Sequence, residues 1–472
     1  MEIEQPAVPR PRRSPAVRRV LIASVMACAV LGGAPTLMRY GREQVVPPGP
    51  VARAGTAVSG GVPAALTDLA AFIADRESYL RSHPRDARAW ALLGAAYADR
   101  GKRTSDAQDF PRAERALWTS LTVRRRGNTE ALGGLAVLAN ARGDHRAAKQ
   151  WAEAAVRSAP TAWTAYPALI EAYDGLGDHK AVGRTLDKLL ALEHGPSAMT
   201  AAARVYWARG WRDDAAAMLS DAAARAEGAA ERAADWERAG ELAWERGEPG
   251  EALRYFETAE RTDPGGHAAL AGQGRALAAL GRTREALEAY GAALVEQPSP
   301  GYALELGELY QSLGYQDHAT AQYDLVRERG RKDAAVGVDD AVVLGLLEAD
   351  HGEPAAGVRL LRQEWRRQPG VRVADALGWA LHRAGQNREA LGYATRATDR
   401  EPSGGVRSAL YAYHRGQIER ALRRTGPARR HLGEALRINP HFSPLLAPVA
   451  RDALGHLGEP SEEGPWEDFY SY

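Results

Sequence analysis

Small and apolar residues recur along most of the chain at the spacing of amphipathic helices. Within residues 233–266 and 267–300 they lie at positions i, i+3, i+4 and i+7, which form one face of an α-helix. Each helical stretch ends at a glycine or a proline, and both residues favour the end of a helix. The pattern therefore predicts an all-α fold built from short helices joined by tight turns.

The helical pattern itself repeats every 34 residues, because residues 233–266 and 267–300 align without a gap. The small residues mark places where two helices cross closely, and the aromatic residue fills the space between neighbouring units. One such unit cannot bury its apolar face alone, so the units must stack. The matching pairs are Gly240 and Gly274, Gly247 and Gly281, Ala252 and Ala286, Phe256 and Tyr290, Ala259 and Ala293, and Pro264 and Pro298.

These positions, together with Trp236, resemble the signature of the tetratricopeptide-repeat (TPR) family. The resemblance implies a right-handed superhelical solenoid of helix-turn-helix repeats. Following the 34-residue frame in both directions predicts about ten repeats over residues 87–442. A capping helix is expected before them at residues 64–86 and another after them at residues 443–457, because an end repeat would otherwise expose its stacking face.

The N-terminal region predicts a membrane-targeting helix. Residues 1–19 are basic, with five arginines between residues 10 and 19, and residues 20–38 carry no charged side chain. At a rise of about 1.5 Å per residue, such a helix just spans a hydrocarbon core of about 30 Å. The arginines before this segment place the N-terminus in the cytoplasm and the repeats outside it.

Two other interpretations of this segment remain open. Ala27-Cys28-Ala29 matches the cleavage site of a signal peptide, which would release a secreted protein, and Cys28 is also a candidate lipidation site. In every case the repeats leave the cytoplasm. Residues 39–63 are rich in proline and glycine and lack helical periodicity, so they predict a flexible linker.

Composition narrows the function classes. The 61 basic and 60 acidic residues nearly cancel, so no strong positive field indicates nucleic-acid binding. Cys28 is the single cysteine, which leaves the repeats without a disulfide or a thiolate metal site. The excess of arginine, alanine and glycine is typical of a GC-rich bacterial genome, such as that of an actinobacterium, so we expect an exported bacterial TPR protein.

No catalytic motif is present. The sequence contains no H-E-x-x-H, G-x-S-x-G or phosphate-binding G-x-x-x-x-G-K-[ST] pattern, and its 12 histidines are scattered among the repeats. We therefore expect a protein that is not an enzyme and that has no catalytic residue, no metal site, no cofactor and no small-molecule substrate.

The TPR resemblance also implies where a partner binds. In that family the first helix of each repeat lines the concave face. Arginines and large aromatic residues in those positions suggest a groove for an apolar peptide or helix with carboxylates for the arginines to contact. The alternative is that curvature buries the tryptophans against the adjacent repeat. The predicted groove residues are Arg204, Trp207, Trp244, Arg275, Arg372, Trp379 and Tyr413.

The C-terminal tail, residues 458–472, combines five acidic residues with four aromatic ones. Disordered tails are usually poor in aromatic residues. We therefore hypothesise that the tail is an internal ligand for the concave face near Trp379 or Tyr413, or a docking motif; the alternative is a solvated tail. The aromatic residues are Trp466, Phe469, Tyr470 and Tyr472.

Two function classes follow. The first is an exported, membrane-tethered scaffold that binds protein or peptide partners in its concave groove. The second is a structural subunit of an envelope complex that self-associates or bridges proteins without a peptide ligand. An open groove lined by aromatic residues favours the first class, and a closed or self-filled groove favours the second.

Overall fold

A computed structural model describes residues 48–399 and 406–458 of the chain. Every regular element in these residues is a helix, which confirms the all-α prediction. A short 3-10 helix, Trp163–Ala165, leads into the seventh α-helix. The α-helices are α1 (Pro50–Gly60), α2 (Leu66–Ser82), α3 (Ala87–Thr104), α4 (Asp109–Val123), α5 (Thr129–Ala141), α6 (His145–Ser158), α7 (Tyr166–Gly175), α8 (His179–Leu192), α9 (Pro196–Ala208), α10 (Arg212–Arg225), α11 (Ala229–Glu245), α12 (Pro249–Thr262), α13 (Ala268–Ala279), α14 (Thr283–Glu296), α15 (Pro300–Ser312), α16 (Gln316–Ala334), α17 (Ala341–His351), α18 (Pro354–Arg367), α19 (Val371–Arg383), α20 (Asn387–Thr398), α21 (Ala409–Ala421), α22 (Thr425–Ile438) and α23 (Leu446–Leu457).

Within the described residues, α3 to α22 pack as ten consecutive helix pairs, from α3 with α4 to α21 with α22. We number these pairs as repeats 1 to 10. The second helix of each pair also packs on the first helix of the next pair, as stacking requires. This is the number of repeats that the 34-residue frame predicts. After the last pair, α23 packs on α22 and buries Ala450 and Ala453.

The turn inside a repeat depends on a glycine and, in several repeats, on an aspartate. Gly247 and Gly281 lie in the turns of repeats 5 and 6 with φ of 77° and 76°, a conformation that glycine adopts without strain. Asp144 and Asp178 follow the turn glycine in repeats 2 and 3. Their side chains accept a hydrogen bond from the third backbone N–H of the next helix, 3.0 Å away in each case.

Aromatic and glycine residues interlock between repeats. Phe256 of α12 is fully buried and lies against Gly240 of α11 and Gly272 of α13. A methyl group at Gly240 or Gly272 would come within 2.7 Å or 2.4 Å of the Phe256 ring. The small residues of the repeat signature are therefore required by the aromatic ring that fills the space between two repeats.

Part of the predicted linker, residues 39–63, is helical, so that prediction is wrong for α1. The helix begins with Pro50 at its first position and ends at Gly60, and the following Gly61 has a φ of 68°. Ala54 is fully buried, and Arg53 holds Asp68 of α2 through two hydrogen bonds of 2.7 Å. The N-terminal capping helix is consequently one member of a pair that packs on α3.

The array also coils back on itself. The turn region of each of repeats 1 to 5 contacts a segment that lies four to six repeats later, with Gly370 beside Gly175 in the case of repeat 3. Within the described residues, these contacts join early repeats to later ones. They include Arg103 with Asp263, Arg329 with the Ser105 carbonyl, Gln368 with the Gly143 carbonyl, Arg212 with the Arg407 carbonyl, and Asn439 with the Trp244 carbonyl.

Some predictions fall on other parts of the chain. The basic residues 1–19, the predicted membrane segment 20–38 and the aromatic residues of the C-terminal tail all lie outside the described residues. Among the described helices, none is long and apolar enough to cross a membrane.

Candidate functional site

The predicted groove aromatics Trp379, Tyr413 and Trp244 are buried, with 2%, 2% and 7% of their surface exposed. Trp379 and Tyr413 are therefore packed between repeats, which is the alternative that the sequence left open, whereas Trp244 also lines a cavity on the first helices of the repeats. Trp379 lies between repeats: its indole Nε1 donates to Asp350 of α17 at 2.9 Å, and its ring stacks on His414 of α21 at 4.2 Å. These contacts make Trp379 part of the interface between repeats 8, 9 and 10.

Burial of these rings also encloses a polar pair. The Nδ1 of His414 lies 2.9 Å from Asp375 of α19, and both side chains are almost fully buried. Tyr413 packs against Trp379 on one side and Phe442 on the other, with ring centroids 5.6 Å and 5.4 Å away. The aromatic residues thus join the last three repeats to the C-terminal segment.

Trp244 is covered from two directions. The guanidinium of Arg275 lies over its ring, 5.7 Å from the centroid. Asn439, which follows repeat 10, donates its side-chain amide to the Trp244 carbonyl at 2.8 Å. Asn439 lies 195 residues after Trp244. The 34-residue repeat pattern therefore does not predict this contact.

The predicted groove arginines are placed differently. Arg204 and Arg372 are exposed, and Trp207 is half-buried. Arg204 forms ion pairs with Glu171 at 3.3 Å and Asp174 at 3.5 Å. Burial raises the pKa of Glu171, but attraction to Arg204 outweighs this effect and lowers that pKa to about 2. The chain's own carboxylates therefore already engage Arg204.

Arg275 lies between two carboxylates of neighbouring repeats. Its guanidinium donates to Glu241 of α11 at 2.6 Å and to Glu305 of α15 at 3.1 and 3.0 Å. The Tyr290 hydroxyl donates a further hydrogen bond of 2.8 Å to Glu305. Burial alone lowers the pKa of Arg275, but the two carboxylates raise it well above its ordinary value. Arg275 is thus a fixed, fully engaged cation that links repeats 5, 6 and 7.

A cavity of about 500 Å³ lies beside Arg275 on the first helices of the repeats. Its lining comes mainly from α11, α13, α15 and α17 and from the segment between Pro440 and Arg451, with further residues from α14 and α21. We call this space the concave cavity. One part of its lining is apolar and includes Leu304, Leu346 and Phe442. The cavity therefore lies between the middle of the array and its C-terminal cap.

The other part of the lining is acidic. Glu245 of α11 and Glu308 of α15 both face the concave cavity. Burial raises the pKa of each carboxyl; in Glu245 the neighbouring Glu241 raises it further, and in Glu308 the interaction with His351 opposes the rise. These directions show that nearby positive charge does not fully offset the loss of solvation.

Exposed apolar side chains lie at or next to the cavity lining: Leu313 lines the cavity, and Leu280 and Val449 each follow a lining residue in the chain. Leu280 and Leu313 occupy equivalent turns of repeats 6 and 7, with 43% and 36% of their surface exposed, and Val449 of α23 is 44% exposed. The turns of repeats 1 to 5 are covered by later loops, whereas these turns follow the last covered repeat. The sequence did not identify them, because a turn position carries no core signal in the repeat frame.

The described residues contain no group of three or more histidine, aspartate or glutamate side chains arranged to hold a metal ion. The lining of the concave cavity combines apolar side chains, two poorly compensated carboxylates and one arginine that is already paired.

Comparisons with known proteins agree with the repeat frame. A sequence model of the tetratricopeptide repeat matches residues 101–162, 200–267 and 237–303. No curated protein sequence matches the chain.

Several solved structures are similar to parts of this chain. A tetratricopeptide repeat protein from Parabacteroides merdae is 17% identical over 56% of this chain and 99% of that chain, with a TM-score of 0.33. PilW, a widely conserved type IV pilus biogenesis factor, is 18% identical over 42% of this chain and 92% of that chain, with a TM-score of 0.36. The human IFIT1 dimer with PPP-AAAA is 16% identical over 72% of this chain and 80% of that chain, with a TM-score of 0.44.

Proposed function

Because the chain is a member of the tetratricopeptide-repeat family, we propose that it is an exported, membrane-tethered scaffold that holds a segment of a partner protein in its concave cavity. The repeats supply a protein-interaction scaffold. The observation that supports this binding mode is the cavity of about 500 Å³ on the first helices of repeats 5 to 8. Ligand cavities of proteins typically have volumes of about 300–1,000 Å³ and mostly apolar walls with a few polar groups.

The site of binding overlaps only in part with the one expected from sequence, because Trp244 and Arg275 line the cavity and the other predicted groove residues do not. The buried rings of Trp379 and Tyr413 stabilise the array, and the cavity lies beside them, between repeats 5 to 8 and the C-terminal segment. A partner enters past the exposed Leu280 and Leu313. This apolar surface fits an approaching apolar side chain, because exposed apolar patches commonly mark interaction sites.

Support for tethering and export comes from the sequence. Residues 20–38 have the length of a membrane-spanning helix, and the arginines of residues 1–19 precede them. Fusion of a reporter after residue 47 tests this part. A reporter that works only outside the cytoplasm should be active, and a reporter that works only inside should be silent. The reverse result would contradict export.

The binding mode is tested by filling the cavity. Ala279 lines it, whereas Val295 of α14 is 80% exposed and lies outside it. Full-length protein should be isolated from membranes with its bound proteins, and these proteins compared by mass spectrometry for the wild type, Ala279→Trp and Val295→Trp. We expect Ala279→Trp to lose partners that Val295→Trp retains. Equal recovery by both variants would contradict the proposal.

A structural subunit is the second candidate, and the contacts between coils favour it. Asn439 with Trp244 and Arg103 with Asp263 tie distant repeats together, as a rigid building block requires. Sedimentation of the full chain distinguishes the two functions. A concentration-dependent oligomer that Ala279→Trp leaves intact supports a structural subunit, and a monomer that binds a partner only with an unfilled cavity supports the scaffold.

A further inference from the structure

We infer that the partner segment that fits the concave cavity is basic and apolar: one or two apolar side chains flanked by lysine or arginine. This inference rests on the proposed function and adds the chemistry of the partner. It departs from the sequence-based expectation, in which arginines of the groove bind an acidic ligand.

The apolar side chains of the partner have a defined place. Leu304 and Leu309 of α15, Leu346 of α17 and Phe442 of the C-terminal segment line one part of the cavity. A wall of this kind gains free energy by burying apolar groups, at about 25 cal/mol per Å² removed from water. The surface is formed by elements from three parts of the chain, so it exists only in the assembled array.

The charged side chains that line the cavity determine which charge the partner segment should carry. Four carboxylates line it, Glu245, Glu305, Glu308 and Asp350, against two arginines, Arg275 and Arg451. The charged groups do not contribute equally, because some are already paired. Glu305 is bound by Arg275, and Asp350 is bound by Arg383 at 3.1 Å.

After this pairing, Glu245 and Glu308 carry the uncompensated negative charge of the cavity. Glu245 has no ion pair among the described residues, and the nearest charged partner of Glu308 is the Nε2 of His351 at 4.0 Å. Arg212 and Arg275 lower the pKa of Glu245, but burial and the neighbouring Glu241 outweigh them. The hydrogen bonds of Arg275 go to Glu241 and Glu305 and not to Glu245 or Glu308. A cation that enters the cavity replaces lost solvation at both carboxylates.

A buried imidazole nitrogen lies next to the cavity wall, 4.0 Å from Glu308, although His351 itself does not line the cavity. The His351 side chain is 7% exposed and stacks on Tyr323, and its Nε2 has no hydrogen-bond partner in the structure. It lies beside Glu308, which faces the cavity. A buried polar atom without a partner costs free energy unless a further group completes the hydrogen bonding. A hydrogen-bond donor of the partner that binds beside Glu308 would give the His351 Nε2 the hydrogen bond that it lacks.

The same charges make the chain's own tail a poor occupant. Residues 459–472 carry five acidic side chains, and Glu245 and Glu308 would repel them. We therefore expect a partner segment, and not the tail, to occupy the concave cavity.

Fluorescence anisotropy of labelled synthetic peptides tests the inference with the full chain. One probe of about twelve residues contains lysine and leucine, and the second contains glutamate in place of each lysine. Wild-type protein should bind the lysine probe and not the glutamate probe. The double variant Glu245→Gln with Glu308→Gln should bind the lysine probe about tenfold more weakly, since two facing charges are lost.

Two variants serve as controls. The exposed acids Glu288 and Asp317 lie outside the cavity lining, so Glu288→Gln with Asp317→Asn should change the affinity less than about twofold. Ala279→Trp should abolish binding of the lysine probe without any change of charge. Thermal denaturation monitored by circular dichroism verifies that each variant is folded.

The outcomes separate the inference from the proposed function. Equal loss in both double variants would overturn the inference, because the attraction would then be a property of the whole surface. Preferential binding of the glutamate probe, blocked by Ala279→Trp, would also overturn it while leaving the proposed function intact. Binding of the lysine probe that Ala279→Trp does not affect would contradict both.

Discussion

Trp379 illustrates how burial decides the role of a residue. Groups from two other repeats hold its ring: Asp350 accepts a hydrogen bond from it, and His414 and Tyr413 pack against it. We expect Trp379→Ala to lower the free energy of unfolding by about 3–5 kcal/mol, as for Phe256→Ala, because both variants leave a cavity in a packed interface. Urea denaturation measures the effect. A Trp379→Ala protein of wild-type stability that has lost partner binding would restore the role expected from sequence.

A second prediction for a single residue concerns the contribution of Arg275 to the stability of the protein. Its removal leaves Glu241 and Glu305 close together without the cation that holds both. We expect Arg275→Met to destabilise the protein by about 3 kcal/mol, the typical cost of breaking a largely buried ion pair. Adding Glu241→Gln and Glu305→Gln should recover much of this loss in chemical denaturation, since no unpaired charge then remains. No recovery in the triple variant would show that Arg275 acts mainly through its packing on Trp244.

Asp340 makes stability depend on pH. Burial, and then repulsion by Asp333, raise the pKa of Asp340 to about 6, against about 3.9 for an unfolded aspartate. The folded state therefore keeps a proton that the unfolded state has already released between about pH 4 and pH 6. Stability from this group is complete below that window and falls as the pH rises through it.

Replacing Asp340 by asparagine, which does not ionise, tests the direction of this pH dependence. Asp340→Asn should raise the free energy of unfolding at pH 7 relative to the wild type and leave a smaller difference at pH 4.5. Urea denaturation at both values measures the effect, with the exposed Asp317→Asn as control. A variant that is less stable than the wild type at pH 7 would contradict the account.

At the scale of elements, the repeat frame predicted most helices and missed one. The positions of Gly240, Phe256 and Ala252 recur every 34 residues because the same close packing recurs in each repeat. Helix α1 has no such signal: it is short, it begins and ends at proline and glycine, and its one buried residue is Ala54. Its stability comes from packing on α2, which a local pattern does not encode.

The C-terminal segment is the element on which the concave cavity depends. Asn439 donates to the Trp244 carbonyl and accepts from the His441 N–H, both at 2.8 Å. We expect Asn439→Ala to speed backbone hydrogen exchange in residues 440–458 and to cost about 1–3 kcal/mol of stability, since the buried Trp244 carbonyl loses its partner. Thr320→Ala, which removes only an exposed bond within α16, is the control. Unchanged exchange in the Asn439 variant would show that the segment is held by other contacts.

At the scale of the whole array, the candidate site arises from contacts that have no period. Asn439 meets Trp244 across 195 residues, and Gln368 meets Gly143 across 225. The 34-residue frame assigned residues to the first helices correctly, but it contains no information on which turns meet after one coil. For this reason the sequence indicated the concave face, and only the structure located the cavity and the burial of its neighbouring tryptophans.

Site-specific photo-cross-linking tests the central claim, that a partner segment occupies the concave cavity. The photoreactive amino acid p-benzoylphenylalanine should replace Leu313 in the cavity lining of one full-length protein and the exposed Val295 in another, each expressed in its native host cells. We predict that light links a partner to the Leu313 variant, that the link maps to a basic and apolar segment, and that adding Ala279→Trp removes it. Cross-links that form only from Val295, or links from Leu313 that Ala279→Trp leaves unchanged, would contradict the account.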